Sequence, residues 1–338
     1  MVVSSFHMPS RVQQLIYFLQ LVRAELLFPA VADAWLMVFL ALHFEPAAMR
    51  NPELAAQHSL PLTLLLATGV AGALQLYGTI INDMLDLRHD RVFAPHRPIA
   101  AGRIPLRNAL MIAVLGLLIA LGSAVFLGKI SVLLCLAVAA GSLFYSAMGK
   151  YIPALGLLTL GLVKAVTMLT INPSAGFLWP ILLALSHSIA WAALGHQLMG
   201  KRPRLNSTQG ILLAAGWMFA CLGLLAWMRT RQMPSEQPPL QGPWVLPMFA
   251  VLLMGLLAFW LGQTHQRLGP GRRLAGARFA YLGALGLILY DIVWLISAHH
   301  ARDALIVAAL LLADLLWTRL MHALEPLAEP AVSFRLEH

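Results

Sequence analysis

Three aspartates follow directly on a long apolar stretch of the chain. Residues 61–81 carry no charge, and Asn82, Asp83, Asp86 and Asp90 come next. The spacing i, i+3, i+7 places the three carboxylates on one face of a helix. Carboxylates that converge repel one another unless a cation lies among them, and Mg²⁺ prefers oxygen ligands that it shares with phosphate groups. The pattern therefore predicts a site for Mg²⁺ and a phosphorylated substrate at the end of an apolar helix.

The composition indicates that this helix belongs to a membrane protein. The chain has 338 residues, of which 60% are hydrophobic and 11% charged, and its mean hydropathy is +0.78. Soluble domains have about a quarter of their residues charged. Apolar runs of about 20 residues, long enough to cross a bilayer, recur along the chain. We therefore predict an all-α, polytopic transmembrane helical bundle of about nine or ten spans, centred on Leu36, Gly72, Leu117, Val138, Gly161, Leu185, Trp217, Leu252, Leu287 and Leu311.

The connections between the spans are short, which predicts a single membrane domain. Gly128 and Lys129 join the third and fourth spans tightly. The longest irregular connection contains three prolines, Pro234, Pro238 and Pro239, which break any helix there. We predict one domain over residues 1–325 and a C-terminal tail over 326–338, whose last residues have the sequence of a tag remnant.

Basic residues alternate between the two sides of the predicted bundle. The richer set of connections holds Arg88, Arg91, Arg97, Arg103, Arg107, Lys150, Lys201, Arg202, Arg204, Arg267, Arg272, Arg273 and Arg278. The opposite side holds Arg50, Lys129, Arg229, Arg231 and Arg302. This bias predicts a multi-pass protein of the cell inner membrane with the acidic loop facing the cytoplasm. The basic residues are divided among short loops, which argues against nucleic-acid binding.

The acidic stretch continues into a second recognisable pattern. Residues 82–104, NDMLDLRHDRVFAPHRPIAAGRI, resemble the first signature of the UbiA superfamily of intramembrane prenyltransferases, which reads N-D-x-x-D-x-x-x-D followed by R-P-x-x-x-G-x-[IL]. The resemblance implies a helical bundle with a central, lipid-open cavity. It also implies Mg²⁺-dependent transfer of a prenyl group from a prenyl diphosphate to a lipophilic acceptor, and we expect that acceptor to be aromatic. The partners expected are these two substrates and the bilayer.

The resemblance assigns roles to the residues of this stretch. It implies that Asp83, Asp86 and Asp90 are catalytic metal ligands and that Asn82 adds a neutral ligand. Arg97, held by the proline that follows it, is implied to bind diphosphate oxygens through its planar group of donors. Arg91 is a further candidate for that contact. The resemblance implies that the metal ion and the basic side chains together stabilise the negative charge on the departing diphosphate.

Two later stretches bear on the same site. Residues 143–150, LFYSAMGK, are similar to the end of the family's fourth helix, which implies that Tyr145 and Lys150 line the diphosphate pocket. Tyr145 is equally compatible with an interfacial aromatic residue, and Lys150 with a positive-inside anchor.

The second acidic motif of the family is absent from residues 193–204, ALGHQLMGKRPR. Three explanations stay open. Lys201 and Arg202 replace the second metal in a one-metal enzyme; His196 and Gln197 contribute to an altered site; or the protein is non-catalytic and binds or helps to transport an isoprenoid or pigment precursor. The Arg23…Asp33 pattern and the stretch around Asp291 fit a divergent bacterial branch associated with Ebo-type gene clusters.

Several ionisable residues fall inside apolar stretches, where a charge is costly. For Lys164 we favour an ion pair with Asp33 or Asp291 over a direct role with substrate. For Asp314 and His187 we predict packing or interhelical hydrogen bonds.

Overall fold

Apolar runs of about 20 residues form helices because a helix satisfies its backbone polar groups internally. The computed structural model describes residues 10–44, 59–230, 245–266 and 272–328. The α-helices are α1 Arg11–Val22, α2 Ala24–Phe44, α3 Leu60–Leu85, α4 Leu87–Phe93, α5 Leu106–Leu127, α6 Lys129–Ala147, α7 Pro153–Ile171, α8 Trp179–Leu198, α9 Ser207–Thr230, α10 Val245–Gln266, α11 Arg272–Ser297 and α12 Ala301–Ala328. A 3₁₀ turn, Gly149–Tyr151, joins α6 to α7.

Nine helices within the described ranges are long and apolar enough to cross a membrane. They are α2, α3, α5 to α9, α11 and α12, while α10 carries a shorter apolar stretch, Leu246–Ala258. Each of the ten predicted centres falls in one of these ten helices. The described ranges contain no strand. The prediction of an all-α transmembrane bundle of nine or ten spans is confirmed, and the chain is an integral multi-pass membrane protein.

Some predicted features lie outside the described residues. They are Arg50, Arg231, Arg267, the prolines 234, 238 and 239, and the tail beyond residue 328. The assignment of residues 1–325 to a single domain stays a prediction.

Small residues let the central helices approach closely. The face of α5 that packs on α3 buries Ala109, Ala113, Gly116 and Ala120. A Cβ atom at Gly116 would lie 3.3 Å from the Ala73 carbonyl oxygen, so the backbones of α3 and α5 approach each other closely there. Close packing of this kind takes the place of the hydrophobic effect between helices in lipid.

The remaining packing follows from the short connections. Helix α2 packs on α3, α11 and α12, and α7 packs between α6 and α8. Gly128, with φ of 116°, ends α5, and α6 begins at the next residue, as the sequence predicts. We call the end of the bundle that contains the last turn of α3 the acid end, and the end where α3 begins the far end.

Candidate active site

The predicted acids straddle a helix junction at the acid end. Helix α3 ends at Leu85 and α4 begins at Leu87, with Asp86 between them at φ −84° and ψ 2°. Asp83 and Asp90 are each only 3% exposed, whereas the Asp86 side chain is 20% exposed. The junction thus buries two carboxylates and leaves the third accessible.

Arg97 joins the two buried carboxylates. One of its terminal nitrogens, Nη1, donates to Asp90 Oδ2 at 2.6 Å and to Asp83 Oδ1 at 3.3 Å. The loop before α5 fixes this position, because the Pro98 carbonyl accepts from the backbone N–H groups of Arg103 and Ile104 at 2.9 and 3.2 Å. Gly102 makes the fold-back possible with φ of 70°. The Arg-Pro-x-x-x-Gly pattern is therefore a loop that directs one guanidinium at two acids.

A second arginine, which the sequence did not single out for the site, also binds Asp83. Arg23 Nη2 donates to both carboxylate oxygens of Asp83, at 2.7 and 2.8 Å. Arg23 lies between α1 and α2 in the left-handed conformation, with φ of 47°. The available signal was a basic residue at the beginning of the first span, on the membrane side predicted for the acids.

Lys150 binds the third acid. Its ammonium group forms an ion pair with Asp86, and it also lies 5.7 Å from the centre of the Tyr151 ring. The 3₁₀ turn that carries Lys150 approaches α7 closely, since a Cβ atom at Gly156 would lie 2.7 Å from the Gly149 carbonyl oxygen. Tyr145, one turn earlier on α6, lies near enough to Asp86 to interact with it electrostatically.

Lys201 reaches the same cluster from the loop between α8 and α9. The residue is exposed overall, but nearby protein atoms desolvate its ammonium group and lower its pKa from 10.5. The positive charge of Arg97 lowers the pKa of Lys201 further, and the negative charge of Asp86 raises it. The Lys201 ammonium therefore lies within the field of the acids and of Arg97.

His196 holds the loop that carries Lys201. Its Nε2 donates to the Pro203 carbonyl at 2.9 Å, and its own carbonyl accepts from the Lys201 N–H at 3.1 Å. Gln197 is exposed. His196 therefore holds the loop in place through hydrogen bonds to two of its residues, Lys201 and Pro203.

The structure brings together most of the predicted site residues. Ion pairs join Asp83 and Asp90 to Arg97 and join Asp86 to Lys150, while Tyr145 and Lys201 lie close enough to interact with these groups electrostatically. Asn82 lies in the last turn of α3, where its carbonyl accepts from the Asp86 N–H at 2.9 Å. Arg91 and Arg202 are exposed, and neither forms an ion pair within the described part of the chain. The roles of all these residues in binding and catalysis stay predictions.

The intramembrane charges form a separate cluster. Lys164 on α7 forms an ion pair with Asp33 on α2, and Asp291 on α11 is a neighbour of Asp33. His187 on α8 bonds through its Nε2 to the Gly283 carbonyl at 2.9 Å and through its Nδ1 to the Tyr290 hydroxyl at 3.2 Å. These contacts agree with the predicted ion pair for Lys164 and the interhelical hydrogen bonds for His187.

Comparison with known proteins supports the fold and part of the sequence. No protein-family model matches the chain. The chain is 38% identical over 90 residues to digeranylgeranylglyceryl phosphate synthase of Pyrococcus abyssi, a match that spans 27% of this chain and 32% of that protein. It is 28% identical over 83 residues to the synthase of the same name from Saccharolobus solfataricus, across 25% of this chain and 29% of the relative. The chain thus spans about a third of the length of these curated relatives.

Two solved structures share the fold over most of the chain. One is of a digeranylgeranylglyceryl phosphate synthase, with a TM-score of 0.52 and 14% identity over 84% of this chain and 98% of that one. The other is a UbiA homologue from Archaeoglobus fulgidus, with a TM-score of 0.51 and 15% identity, and the match covers 81% of this chain and 98% of the homologue. The protein is a polytopic membrane protein with a UbiA-type fold. The predicted resemblance to UbiA-type proteins is confirmed in fold over most of the chain, while the divergent bacterial branch stays a prediction.

Proposed function

We propose that this protein is a Mg²⁺-dependent prenyltransferase that moves a prenyl group from a prenyl diphosphate to a lipophilic acceptor within the bilayer. The acid end would face the cytoplasm from the inner membrane, as the distribution of Lys and Arg predicts. The observation that carries this proposal is the convergence of three carboxylates and four cationic side chains at the end of an apolar bundle. A prenyl diphosphate has the matching form, a highly charged head on a long hydrocarbon tail.

The donor set of the cluster fits Mg²⁺. Asp83, Asp86 and Asp90 offer only carboxylate oxygens, and Asn82 adds an amide oxygen in the same turn. Hard divalent cations choose such ligands and share them with phosphate groups. These four residues would hold the metal, which supplies electrostatic stabilisation to the departing diphosphate.

The basic residues would bind the diphosphate itself. Arg23, Arg97 and Lys150 match the three acids in number, and Lys201 adds one further positive charge. The cluster is therefore suited to an anion. Arg97 and Lys150 now bind carboxylates, and their cationic groups would form charge-assisted hydrogen bonds of the same kind with diphosphate oxygens.

Lys201 stands where the family's second acidic motif would be expected. Residues 193–204 contain no acid, and Lys201 is the basic residue of this stretch that interacts with Asp86 and Arg97. An ammonium group neutralises phosphate charge without a second metal. We therefore assign Lys201 to the diphosphate and infer a one-metal site.

The acceptor belongs to one of two chemical classes. The sequence leads us to expect an aromatic acceptor, whereas the name shared by the two relatives points to a glycerol phosphate lipid. Either acceptor attacks the allylic carbon as the diphosphate departs. The apolar helices keep water from that carbon, which protects the reactive intermediate.

A second candidate function is storage or delivery of an isoprenoid without turnover. It draws support from the ion pairs, since each of the three acids already has a basic partner. A protein of this kind would bind prenyl diphosphates and release no diphosphate with any acceptor.

Turnover separates these candidates. Purified full-length protein is incubated with Mg²⁺, labelled geranylgeranyl diphosphate and either an aromatic acceptor or a geranylgeranylglyceryl phosphate, and released diphosphate is measured. We expect release that depends on Mg²⁺ and on one acceptor class, and its loss in Asp83→Asn and Asp86→Asn. We expect Lys201→Ala to weaken diphosphate binding by roughly 10- to 100-fold while the Mg²⁺ requirement remains. Activity that survives both aspartate substitutions would refute the metal site.

A further inference from the structure

Two histidines and an aspartate meet at the far end of the bundle. His43 lies in the last turn of α2, His300 directly precedes α12, and Asp303 lies in the first turn of α12. The cavity beside them is also lined by Leu60, the first residue of α3. Because Asp83 lies 23 residues further along α3, the two sites are separated by about 35 Å. This cluster takes no part in the proposed prenyl transfer.

The three side chains place ligand atoms close together. His43 Nε2 lies 2.6 Å from Asp303 Oδ2, and His300 Nδ1 lies 3.9 Å from the same oxygen. One ligand atom from each residue lies within 4.8 Å of the other two. Ligand atoms around a tetrahedral zinc ion, at bond lengths of about 2.0–2.2 Å, are about 3.4 Å apart. The present separations, from 2.6 Å to at most 4.8 Å, lie on both sides of that value, so the side chains must rearrange to reach it.

The surroundings suit a metal that keeps an open position. The cavity is a half-open cleft of about 510 Å³, lined by the apolar side chains of Phe39, Leu42 and Ile306 and also by Arg302. His43 and Asp303 come from different helices, with 31% and 13% of their side-chain surfaces exposed. Three protein ligands beside a cavity of this size leave room for a water molecule or another small ligand.

One rearrangement accompanies binding. The imidazole rings of His43 and His300 are stacked, with centroids 3.8 Å apart and planes inclined by 18°. The nitrogen lone pairs lie in the planes of the rings, and two nearly parallel planes keep them from meeting at one ion, so one ring must turn before both can bind it. The second side-chain torsion of histidine has a broad energy well, which makes this turn inexpensive.

We propose that His43, His300 and Asp303 form a binding site for a zinc-class divalent cation at the far end of the bundle. Imidazole nitrogen with a single carboxylate selects zinc and its transition-metal neighbours over Mg²⁺. The bound ion connects α2 to the junction between α11 and α12. The ion therefore restrains the relative positions of α2 and α12, which pack against each other.

Cobalt and zinc uptake test this proposal directly. Full-length protein freed of any affinity tag and stripped with chelator is titrated with Co²⁺ in the presence of saturating Mg²⁺, which occupies the acid end. We expect the protein to bind one Co²⁺ per chain, with the visible absorption of four- or five-coordinate cobalt. Zn²⁺ should displace the bound cobalt. We expect His43→Ala and Asp303→Asn to weaken uptake roughly 100-fold or more.

Two control variants make the result specific. His299→Asn changes a neighbouring exposed histidine whose φ of 62° asparagine tolerates, and it should bind cobalt like the unaltered protein. Asp86→Asn removes an acid at the opposite end and should also leave cobalt uptake unchanged. Zinc should raise the midpoint of thermal unfolding of the unaltered protein but not of Asp303→Asn, a substitution that keeps the shape of the side chain. Substoichiometric uptake, or equal uptake by Asp303→Asn and His299→Asn, would overturn the proposal.

Discussion

Arg97→Ala should lower the free energy of unfolding by about 2 kcal/mol. The bond from Arg97 to Asp90 is short, at 2.6 Å, and joins two charges, so it contributes about 1.5–3 kcal/mol. The Arg97 side chain is 30% exposed, so solvent screening places the value near the low end of that range. The bond to Asp83 is longer, at 3.3 Å, and Asp83 keeps Arg23, so its loss adds about 0.5 kcal/mol.

The main cost in Arg97→Ala comes from the Asp90 carboxylate. Only 4% of its side-chain surface is exposed, and its other basic neighbour, His89, is 3.5 Å away. Removal of the charge as well, in Arg97→Ala with Asp90→Asn, should therefore recover most of the lost free energy. The double-mutant cycle should give a coupling energy of about 1.5 kcal/mol.

Reversible unfolding in mixed micelles, followed by tryptophan fluorescence, measures these free energies. Arg91→Ala is the matched control, because Arg91 is exposed and should cost less than about 0.5 kcal/mol. The reasoning fails if Arg97→Ala costs no more than Arg91→Ala. It also fails if Asp90→Asn has the same effect with and without Arg97.

Two further predictions concern the lysines. As pH rises through the lowered pKa of Lys201, its ammonium group loses the charge that favours an anion. The affinity of the unaltered protein for a prenyl diphosphate should therefore decrease as pH rises, whereas the affinity of Lys201→Arg should persist to higher pH because arginine keeps its charge. Binding measured between about pH 7 and pH 10 should show the two curves diverging, and parallel curves would exclude a role for the Lys201 charge. Lys164→Met should lower the free energy of unfolding by about 3–5 kcal/mol because it leaves Asp33 buried without its cation. Adding Asp33→Asn should restore most of that loss, whereas simple additivity of the two substitutions would show that the pair is not coupled.

The helices and the acid cluster were predictable because their signals are local. Apolar runs of about 20 residues mark the spans, and Asp83, Asp86, Asp90 and Arg97 lie within 15 consecutive positions. The break at Asp86 was not predicted, because a spacing of i, i+3, i+7 is equally compatible with an unbroken helix.

The contacts that complete the sites depend on packing between distant parts of the chain. Arg23 reaches Asp83 across 60 residues through a left-handed turn that no pattern in the sequence announces. His43 and Asp303, 260 residues apart, meet only because α2 packs against α12. The family resemblance predicted that Lys150 lines the site, but its ion pair with Asp86 was not predicted, since each residue alone is typical of a membrane boundary.

Equilibrium binding of geranylgeranyl diphosphate with and without Mg²⁺ tests the central claim most directly. If Asp83, Asp86 and Asp90 hold a metal against the diphosphate, Mg²⁺ should increase the affinity of the unaltered protein by at least roughly tenfold. Asp86→Asn should lose that increase, while Asp303→Asn at the far end should keep it. An affinity that is independent of Mg²⁺, or an increase that Asp86→Asn retains in full, would contradict the account.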